Sequence, residues 1–569
     1  MTTGAHVLIE GLLHQGTKTI FGYPGGVVLP IYDVLYDSPL EHILVRHEQA
    51  AAHAADGYAR ASGKVGVCLA TSGPGACNLV TGIATAYMDS IPIVALTGQV
   101  PTNLLGNDAF QESDIHGITM PVTKHNYLVK HAADLPQVIA EAFYIASTGR
   151  PGPVLIDLPK DVSTAELPDE IAFPESVSLR GYQPTIRGHP RQIEKAVDLM
   201  VRAERPLIYA GGGVILAGAD QELAALAERL GAPVTTTLMG LGAICGDHPL
   251  NLGMLGMHGT AYANFAVTEC DLLIAIGARF DDRVTGRIET FAPHAQVIHI
   301  DIDPAEIGKN KPVDVPIVGD VKHVLEQVLA RLPAGPKTDR WLARVTEWRA
   351  SHPLRVPENG ALHPQGVVRA LSDLLQGDGV IVSEVGQNQM WAAQHFCFRK
   401  PRSWITSGGL GTMGYGLPAA MGACYARPGE QVFLIAGDGS LQMNIQEFGT
   451  IAHNRIPVRV VVLNNGYLGM VRQWQELFYG GKYSQVDLEV QPDFVKLAEA
   501  FGASGLRAER PSEVRPVIEK AIATPGPVVV DIVTAREENC FPMIPAGGAL
   551  KDIIDAGEPV PEKLFQGWR

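Results

Sequence analysis

The stretch VFLIAGDGSLQMNIQEFGTIAHNRIPVRVVVLNNGYLGM, residues 432–470, decides the fold. One apolar run ends in Gly-Asp-Gly (437–439), and a second apolar run ends in Asn-Asn (464–465). Short apolar runs that end in Gly or Asn are typical of buried strands in α/β proteins. We therefore predict two neighbouring parallel strands joined by a helix from Leu441 to about His453. The carboxyl ends of such strands meet at one edge of the sheet, where ligands bind.

Three oxygen donors at that edge have the chemistry of a magnesium site. Asp438 and Asn465 are 27 positions apart, yet adjacent strands would bring them together, with the backbone carbonyl of Tyr467 nearby. A carboxylate, an amide oxygen and a carbonyl suit Mg²⁺, and phosphate oxygens and water would complete the octahedron. An ordinary strand–turn–helix with Asp438 as N-cap is the alternative. The double Asn at this spacing favours the metal and diphosphate site.

The same alternation of apolar runs and helix-like segments extends along the chain. The predicted strands include Val65–Ala70, Ile91–Leu96, Val154–Leu158, Pro206–Ala210, Leu272–Ile276, Val297–Ile300, Val432–Ala436 and Val458–Leu463. Two polar, proline-rich stretches, 163–190 and 333–364, interrupt the pattern and are predicted to be linkers. The fold class is therefore α/β, with three doubly wound parallel-sheet domains at 1–165, 190–335 and 365–535 and a tail at 536–569.

A weak internal repeat relates the outer two domains. Residues 71–98 and 406–439 both place Thr-Ser-Gly before a glycine-rich helix start and a buried strand. The repeat indicates that the first and third domains share one fold. The alternative is that any two α/β units look this similar.

Composition excludes several classes of function. The chain has 569 residues and a net charge of −15, which argues against a nucleic-acid surface. No apolar run reaches the roughly 18 residues of a membrane span, and the first twenty residues lack a signal-peptide pattern. Seven cysteines without a C-x-x-C pair favour a reducing cytoplasm over disulfides or zinc. Charged residues make up only 18%, which suggests surface buried between subunits.

The spacing from Asp438 to Asn465 resembles the diphosphate-binding motif of the thiamin-diphosphate enzymes, and the resemblance covers the whole chain. It implies a catalytic Glu after a strand of the first domain, and Glu48 stands there, before the predicted helix Gln49–Ala61. In that family the carboxylate holds the aminopyrimidine ring of the cofactor and relays a proton. Without the second motif, Glu48 would be only a favourable partner of a helix dipole.

The third domain resembles the rest of the thiamin-diphosphate pocket, and Met413 stands where the family bends the cofactor. Plain core packing is the alternative for Met413. The implied contacts are Val385, Gly386, Gln387, Asn388, Met390, Gly411, Met413, Gly437, Asp438, Gly439 and Ser440. Glycines 409, 411 and 414 also match a dinucleotide fingerprint, but no acidic residue follows at the required distance.

Motifs in all three domains resemble the catalytic subunits of acetohydroxyacid synthases (acetolactate synthases). They include YPGG (23–26), GNDAFQESDIHGITMPVTKHNYLV (106–129), GARFDDRVTG (277–286) and GMVRQWQELFY (469–479). The resemblance implies that two pyruvates give 2-acetolactate and that pyruvate with 2-oxobutyrate gives 2-aceto-2-hydroxybutyrate. A pyruvate oxidase is the alternative enzyme. A non-catalytic nucleotide-binding or regulatory paralogue is the alternative of another class.

The resemblance also assigns roles to individual residues. Arg283 would hold the carboxylate of the second oxo acid, and Trp474 would pack against its extra methyl group. Taken alone, Arg283 reads as a surface ion pair and Trp474 as core. The first domain would contribute Gly26, Phe110, Gln111 and Lys160.

The middle domain resembles the FAD-binding domain of that family, in which FAD has no net redox role. Three glycines after the strand Pro206–Ala210 suit a dinucleotide pyrophosphate. The implied FAD contacts are Gly211, Gly212, Gly213, Thr236, Leu238, Met257, His258, Gly277, Arg279, Asp281, Arg283, Asp301, Ile302, Glu306 and Asp320.

Three residues depart from the family pattern. Asn388 stands where His is expected, Val27 where Ala is usual, and Thr185 near where some members use Arg toward FAD. The resemblance further implies a homodimer or homotetramer in which Glu48 and the 437–439 turn of one site come from different subunits. It also implies a small regulatory subunit, because the three α/β units leave no spare domain for an effector.

Overall fold

The computed structural model describes residues 2–333, 335 and 338–556. Each of the three domains is built on a six-stranded, wholly parallel sheet with helices on both faces. This is the doubly wound α/β architecture expected from the sequence. None of the helices in the described part of the chain is long and apolar enough to cross a membrane.

The first domain has its sheet in the order β3-β2-β4-β5-β7-β6, with β1 and β8 in a separate antiparallel ribbon. Its strands are β1 (Thr2–Thr3), β2 (Thr19–Gly22), β3 (Glu41–Leu44), β4 (Gly66–Ala70), β5 (Ile93–Gln99), β6 (His125–Leu128), β7 (Val154–Pro159) and β8 (Glu166–Leu167). Its helices are α1 (Gly4–His14), α2 (Leu29–Tyr36), α3 (Glu48–Ser62), α4 (Pro74–Asn78), α5 (Val80–Met88), α6 (Ile115–Thr119), α7 (Leu135–Ser147) and α8 (Lys160–Thr164).

The middle domain has its sheet in the order β11-β10-β9-β12-β13-β14, which is the 3-2-1-4-5-6 arrangement of dinucleotide-binding folds. Its strands are β9 (Pro206–Ala210), β10 (Val234–Thr236), β11 (Asn251–Met254), β12 (Leu272–Ile276), β13 (Gln296–Asp301) and β14 (Val315–Val318). Its helices are α9 (Pro190–Arg202), α10 (Gly212–Ala217), α11 (Asp220–Leu230), α12 (Ala261–Glu269), α13 (Asp282–Thr285), α14 (Val321–Leu329) and α15 (Asp339–Ser351).

The third domain has its sheet in the order β16-β15-β17-β18-β20-β19. Its strands are β15 (Val380–Ser383), β16 (Trp404–Ile405), β17 (Val432–Gly437), β18 (Val458–Asn464), β19 (Ser504–Ala508) and β20 (Val528–Val533). Its helices are α16 (Pro364–Leu375), α17 (Gln387–His395), α18 (Gly416–Ala426), α19 (Asp438–Leu441), α20 (Phe448–His453), α21 (Gly469–Phe478), α22 (Phe494–Phe501) and α23 (Pro511–Ala523). Numbered within its own domain, this sheet has the same strand order as the first, 2-1-3-4-6-5. The two outer domains therefore share one topology, as the internal repeat indicated.

All eight predicted strands are present, with ends shifted by at most three residues. Two expectations were wrong. The helix expected from Leu441 to His453 is broken into α19, a 3₁₀ turn at Gln442–Glu447 and α20. Asn444 leaves the helical region with φ −130°, and its amide donates to Gly414 O at 2.6 Å. A side-chain bond of this kind competes with helical backbone bonds.

The second expected linker contains helix α15, which packs on the middle domain. Trp341 and Trp348 are buried there, and Trp341 Nε1 donates to Pro206 O at 3.0 Å. The charged residues of this stretch lie on the outer face of an amphipathic helix, so composition alone concealed it.

Helices α3 and α18 join the first and third domains within the chain. Gly57 and Gly422 allow the two backbones to touch, since a Cβ on Gly57 would lie 2.2 Å from Ala419 O and one on Gly422 1.9 Å from Ala54 O. This packing fixes the position of α3, whose first residue is Glu48.

Candidate active site

A cavity of about 820 Å³ lies where the three domains meet. Turns after β9, β12 and β13 form one wall, and residues 88–90 and 147–151 of the first domain form a second. The third domain contributes the start of α17, the glycine-rich loop 408–413 and the face of α21. The volume is within the range of small-molecule and cofactor sites.

Three glycines bring two strand ends of the middle domain into backbone contact. A Cβ on Gly211 would lie 2.0 Å from Gly277 O, and one on Gly213 would lie 2.7 Å from Gly277 Cα. Gly277 has φ +57°, a conformation that side chains rarely adopt. The absence of side chains lets a pyrophosphate approach the backbone here, although the Gly211 and Gly213 N–H groups already donate to Ile276 O and Gly277 O at 2.9 and 3.1 Å.

Two acidic residues follow the neighbouring strands, as in dinucleotide sites. Asp301 ends β13, where burial raises the pKa of its carboxyl to about 6. It accepts the Asp303 N–H at 2.9 Å. Asp320 caps α14 by accepting the His323 N–H at 3.2 Å. Both line the cavity.

Several buried polar atoms around the cavity have no hydrogen-bond partner within the described part of the chain. They are His258 Nδ1, Thr237 Oγ1 and Glu306 Oε2. Burial lowers the pKa of His258 to about 4, so its ring is neutral at pH 7. Because a buried polar group without a partner costs free energy, these atoms fit a ligand with several polar groups. The glycine cradle and these atoms are together compatible with FAD.

Arg150 belongs to this site although sequence reasoning missed it. Its Nη1 donates to Glu306 at 2.7 Å and to Asp303 at 3.2 Å, and its Nε donates to Ser90 Oγ at 2.8 Å. The residue stands alone before Pro-Gly-Pro in the sequence. Asp303 and Glu306 come from the middle domain and Ser90 is 60 positions away in the first, so no local pattern indicates it.

At the edge of the third sheet, Asp438 lies against the turn that follows β18. Its carboxylate accepts the Gly466 N–H at 2.7 Å and the Gly439 N–H at 3.0 Å. Asn465 Oδ1 accepts the Tyr467 N–H at 3.0 Å. Burial raises the pKa of Asp438 to about 6. A cation beside it would favour the charged form, which fits Mg²⁺.

The described residues contain no cluster of three or more His, Cys, Asp or Glu side chains placed to hold a metal. A magnesium site with one carboxylate depends instead on amide, carbonyl and phosphate oxygens. Ser440 Oγ lies beside it, donating to Gly437 O at 3.3 Å.

The first two side chains of α17, those of Gln387 and Asn388, make hydrogen bonds in different directions. Asn388 Nδ2 donates to Glu384 O at 2.8 Å and Ile435 O at 3.1 Å, and its Oδ1 lies beside Gly386 and Gly437. Gln387 Nε2 turns away to Gln473 Oε1 at 2.9 Å. Asn388 therefore fixes the ends of β15 and β17 without a titratable group.

The structure brings Arg283 and Trp474 together from different domains. The Arg283 guanidinium lies 5.7 Å from the centre of the Trp474 ring. Trp474 packs with Met257, Phe478 and Met543, the last of which belongs to the tail. Both residues line the cavity, so a cation and an apolar surface face it side by side.

The candidate residues of the first domain form a separate group. Asn78 Nδ2 donates to Glu48 Oε2 at 2.9 Å, and Glu48 Oε1 lies beside Gly75. Gln111 has φ +59° and packs its backbone on Gly73, while the adjacent Phe110 is 89% exposed. Gly26, Glu48, Phe110, Gln111 and Lys160 do not border the cavity of their own chain.

Most of the middle-domain and several third-domain candidates do border the cavity. These are Gly211, Gly212, Gly213, Leu238, Met257, His258, Gly277, Arg279, Asp281, Arg283, Asp301, Ile302, Glu306, Asp320, Val385, Gly386, Met390, Gly411, Met413 and Trp474. Thr236 lies behind them at the end of β10, with its Oγ1 buried. The diphosphate and metal candidates lie at the neighbouring ends of β17 and β18.

Three models of thiamine pyrophosphate enzymes match the chain. The N-terminal TPP binding domain matches residues 2–118, the central domain 193–328 and the C-terminal TPP binding domain 384–532. The chain is 54% identical over 561 residues to a probable acetolactate synthase large subunit of Methanocaldococcus jannaschii, covering 97% of this chain and 95% of the relative. It is 53% identical over 574 residues to the acetolactate synthase large subunit of Parasynechococcus marenigrum, covering 99% and 92%.

The chain belongs to the family of acetolactate synthase large subunits. An acetolactate synthase of Arthrospira platensis, 53% identical with 97% of both chains covered, agrees. These matches confirm the family and the fold class expected from the sequence. They also confirm the expected type of enzyme, which depends on thiamin diphosphate.

Proposed function

We propose that this chain decarboxylates pyruvate and transfers the two-carbon unit to a second 2-oxo acid. With pyruvate the product is 2-acetolactate, and with 2-oxobutyrate it is 2-aceto-2-hydroxybutyrate, the first committed compounds of branched-chain amino-acid synthesis. The observation that carries the proposal is the pair Arg283 and Trp474 at the cavity between the dinucleotide cradle and the loop of Met413. Its cation matches a carboxylate, and its ring matches a short alkyl group.

Each cofactor has a set of residues that fits it. Asp438, Asn465 and the Tyr467 carbonyl would hold Mg²⁺, and the middle domain would hold FAD with no net redox role. When bound, thiamin diphosphate supplies a carbon nucleophile and an electron sink for the decarboxylation. Glu48 would hold and move a proton at the aminopyrimidine, and Arg283 would orient the acceptor through its carboxylate.

Two copies of the chain would complete each site. In one chain Glu48 and its neighbours border a different surface from the cavity that Arg283 and Trp474 line. Phe110, next to Gln111 with its positive φ, is 89% exposed, so its ring is available for contact with a second copy. A homodimer, alone or within a homotetramer, would place the first-domain group of one copy over the third-domain group of the other.

A small regulatory subunit would complete the assembly. The names of two relatives support this proposal, since they are called large subunits. The seven free cysteines are compatible with a reducing cytoplasm. Inhibition of the lone chain by valine, at the strength seen for the enzyme in a crude extract, would argue against a separate effector-binding subunit.

A competition assay tests the function. The purified chain receives pyruvate and 2-oxobutyrate together, with and without thiamin diphosphate, Mg²⁺ and FAD, and both products are quantified. We expect both products, with a strict requirement for thiamin diphosphate and Mg²⁺. Oxygen consumption in step with pyruvate loss would identify a pyruvate oxidase instead. Cofactor binding without any product would indicate a non-catalytic paralogue.

A further inference from the structure

A buried ionic cluster joins the first and third domains beside the cavity. Arg60 donates to Asp56 at 2.6 Å and to Asp89 at 2.8 Å, and Tyr415 Oη donates to Asp56 at 2.5 Å. The side chains of Arg60, Asp56 and Asp89 are 5%, 0% and 1% exposed. Two carboxylates face one guanidinium, so one negative charge must be stabilised by other donors.

The donors for Asp89 are backbone groups of the glycine-rich loop. Its Oδ2 accepts the Gly408 N–H at 3.0 Å, and its Oδ1 accepts the Gly409 N–H at 2.7 Å. A second contact, between Thr85 Oγ1 and Thr412 Oγ1 at 2.7 Å, joins α5 to the same loop. Charge-assisted hydrogen bonds are among the stronger ones in proteins. Asp89 therefore fixes two successive peptide groups of the loop that carries Met413.

The residue after Asp89, Ser90, lines the same cavity as the glycine turns after β9 and β12. Ser90 has φ +61°, a conformation that is unfavourable for a residue with a Cβ. This backbone directs its Oγ to accept from Arg150 Nε at 2.8 Å. Arg150 in turn binds Glu306, whose other oxygen is buried and unpartnered at the cavity.

We propose that Asp89 is a positioning residue that orders the glycine-rich loop 408–413 for thiamin diphosphate. Through Ser90 and Arg150, it couples the order of this loop to binding of FAD in the cavity. The inference rests on the proposed function, because it requires both cofactors. A ligand that holds Glu306 and Arg150 in place also holds Ser90, because Arg150 binds both Glu306 and Ser90. The position of Ser90 in turn fixes the orientation of Asp89, its neighbour in the chain. FAD would thus contribute to catalysis by ordering a loop, without electron transfer.

The coupling is a measurable quantity and must be reciprocal. If bound FAD increases the affinity for thiamin diphosphate by some factor, bound thiamin diphosphate increases the affinity for FAD by the same factor. We expect a factor of at least about five, within the usual range for coupled sites. Calorimetry on the full-length apoprotein gives the affinity of thiamin diphosphate with Mg²⁺, with and without saturating FAD. Quenching of FAD fluorescence gives the reciprocal affinity.

Three variants separate positioning from mere stabilisation. Asp89→Asn should weaken the binding of thiamin diphosphate about tenfold in the absence of FAD, because the side chain loses one of the two carboxylate oxygens that accept the loop N–H groups. The same variant should abolish the coupling. Ser90→Ala should keep the FAD-free affinity for thiamin diphosphate and lose only the coupling. Asp56→Asn is the matched control. It removes a carboxylate from the same Arg60 cluster but leaves the bonds to Gly408 and Gly409, so the coupling should persist.

The inference is overturned if Asp89→Asn and Ser90→Ala keep the wild-type coupling, or if Asp56→Asn loses it to the same extent. If Asp89→Asn does not fold, Ser90→Ala decides alone. A wild type that binds both cofactors without coupling overturns this inference and leaves the proposed function intact. A wild type that binds no FAD overturns the proposed FAD site and this inference together.

Discussion

Mixing two inactive variants tests whether each active site is shared between two copies. Glu48→Gln removes the proton-relaying carboxylate, and Asp438→Ala removes the metal carboxylate. These residues lie in the first and third domains, and Glu48 does not border the cavity of its own chain. A two-fold dimer with shared sites would join Glu48 of one copy to Asp438 of the other.

The two-fold symmetry of the dimer fixes how much activity should return. Random exchange of equal amounts gives about half mixed dimers, and each mixed dimer has one intact site and one with both defects. About a quarter of the wild-type activity should therefore return. If each site lay within one chain, every site of a mixed dimer would carry one defect, and no activity would return.

A reciprocal control makes the assay sharper. The double variant Glu48→Gln/Asp438→Ala is mixed with an equal amount of wild type. Shared sites predict about a quarter of the activity of an all-wild-type sample, because mixed dimers then have one defect in each site. Sites within one chain predict about half. Acetolactate formation is measured after exchange, and dimer mixing is verified by mass. If mixing is verified but the mixture has only the summed activity of the two unmixed samples, the active site is not shared between copies.

Three further predictions concern single residues. Glu48→Gln alone should lower kcat by roughly 10²–10⁴-fold and leave the circular dichroism spectrum unchanged, because Gln is isosteric but cannot relay a proton; near-normal turnover contradicts the role. Trp474→Leu should reduce the preference for 2-oxobutyrate over pyruvate as acceptor by about 1–3 kcal/mol and keep the rate with pyruvate alone. Arg283→Lys should lower the yield of both products together, because Lys lacks the planar guanidinium fork. The ratio of the two products, measured by chromatography, distinguishes these outcomes. Burial raises the pKa of the Asp438 carboxyl to about 6. In the metal-free protein the folded state therefore binds the carboxyl proton more tightly than the unfolded chain does. The stability that this proton contributes is lost as pH rises from about 4 to 6. The metal-free Asp438→Asn variant should therefore lose less stability than the metal-free wild type between about pH 4 and pH 8, and it should not be stabilised by Mg²⁺. An unchanged response to Mg²⁺ places the ion elsewhere.

The sequence predicted those parts of the fold that depend on local pattern. Buried parallel strands are continuous Val- and Ile-rich runs, so β9 and β12 were located with their observed ends. The break at Asn444 was not predicted, because its cause is a hydrogen bond to Gly414, thirty residues away. Helix α15 was not predicted because charged residues and nearby prolines concealed its buried tryptophans.

The candidate site divides in the same way. Residues in contiguous motifs, such as Gly211–Gly213 and Asp438, were predicted from their positions after apolar runs, and the structure places the three glycines on the cavity. Arg150 and Asp89 were missed because each acts through a contact between domains, and neither belongs to a contiguous pattern. An isolated charged residue in a sequence gives no sign of whether its partners are solvent or a buried backbone.

The glycine-rich loop explains why such buried carboxylates are needed. Its glycines allow close approach to a cofactor, but they leave few side chains to hold the loop, and ordering glycine costs more backbone entropy than ordering other residues. Glu384 holds one end by accepting the Gly414 and Gly416 N–H groups at 2.9 and 2.7 Å, and Asp89 holds the other end. Burial raises the pKa of Glu384 to about 7 despite these bonds, so its desolvation is only partly compensated. One carboxylate lies in each of the two domains that the loop adjoins, and the conformation of the loop therefore depends on both domains being in place.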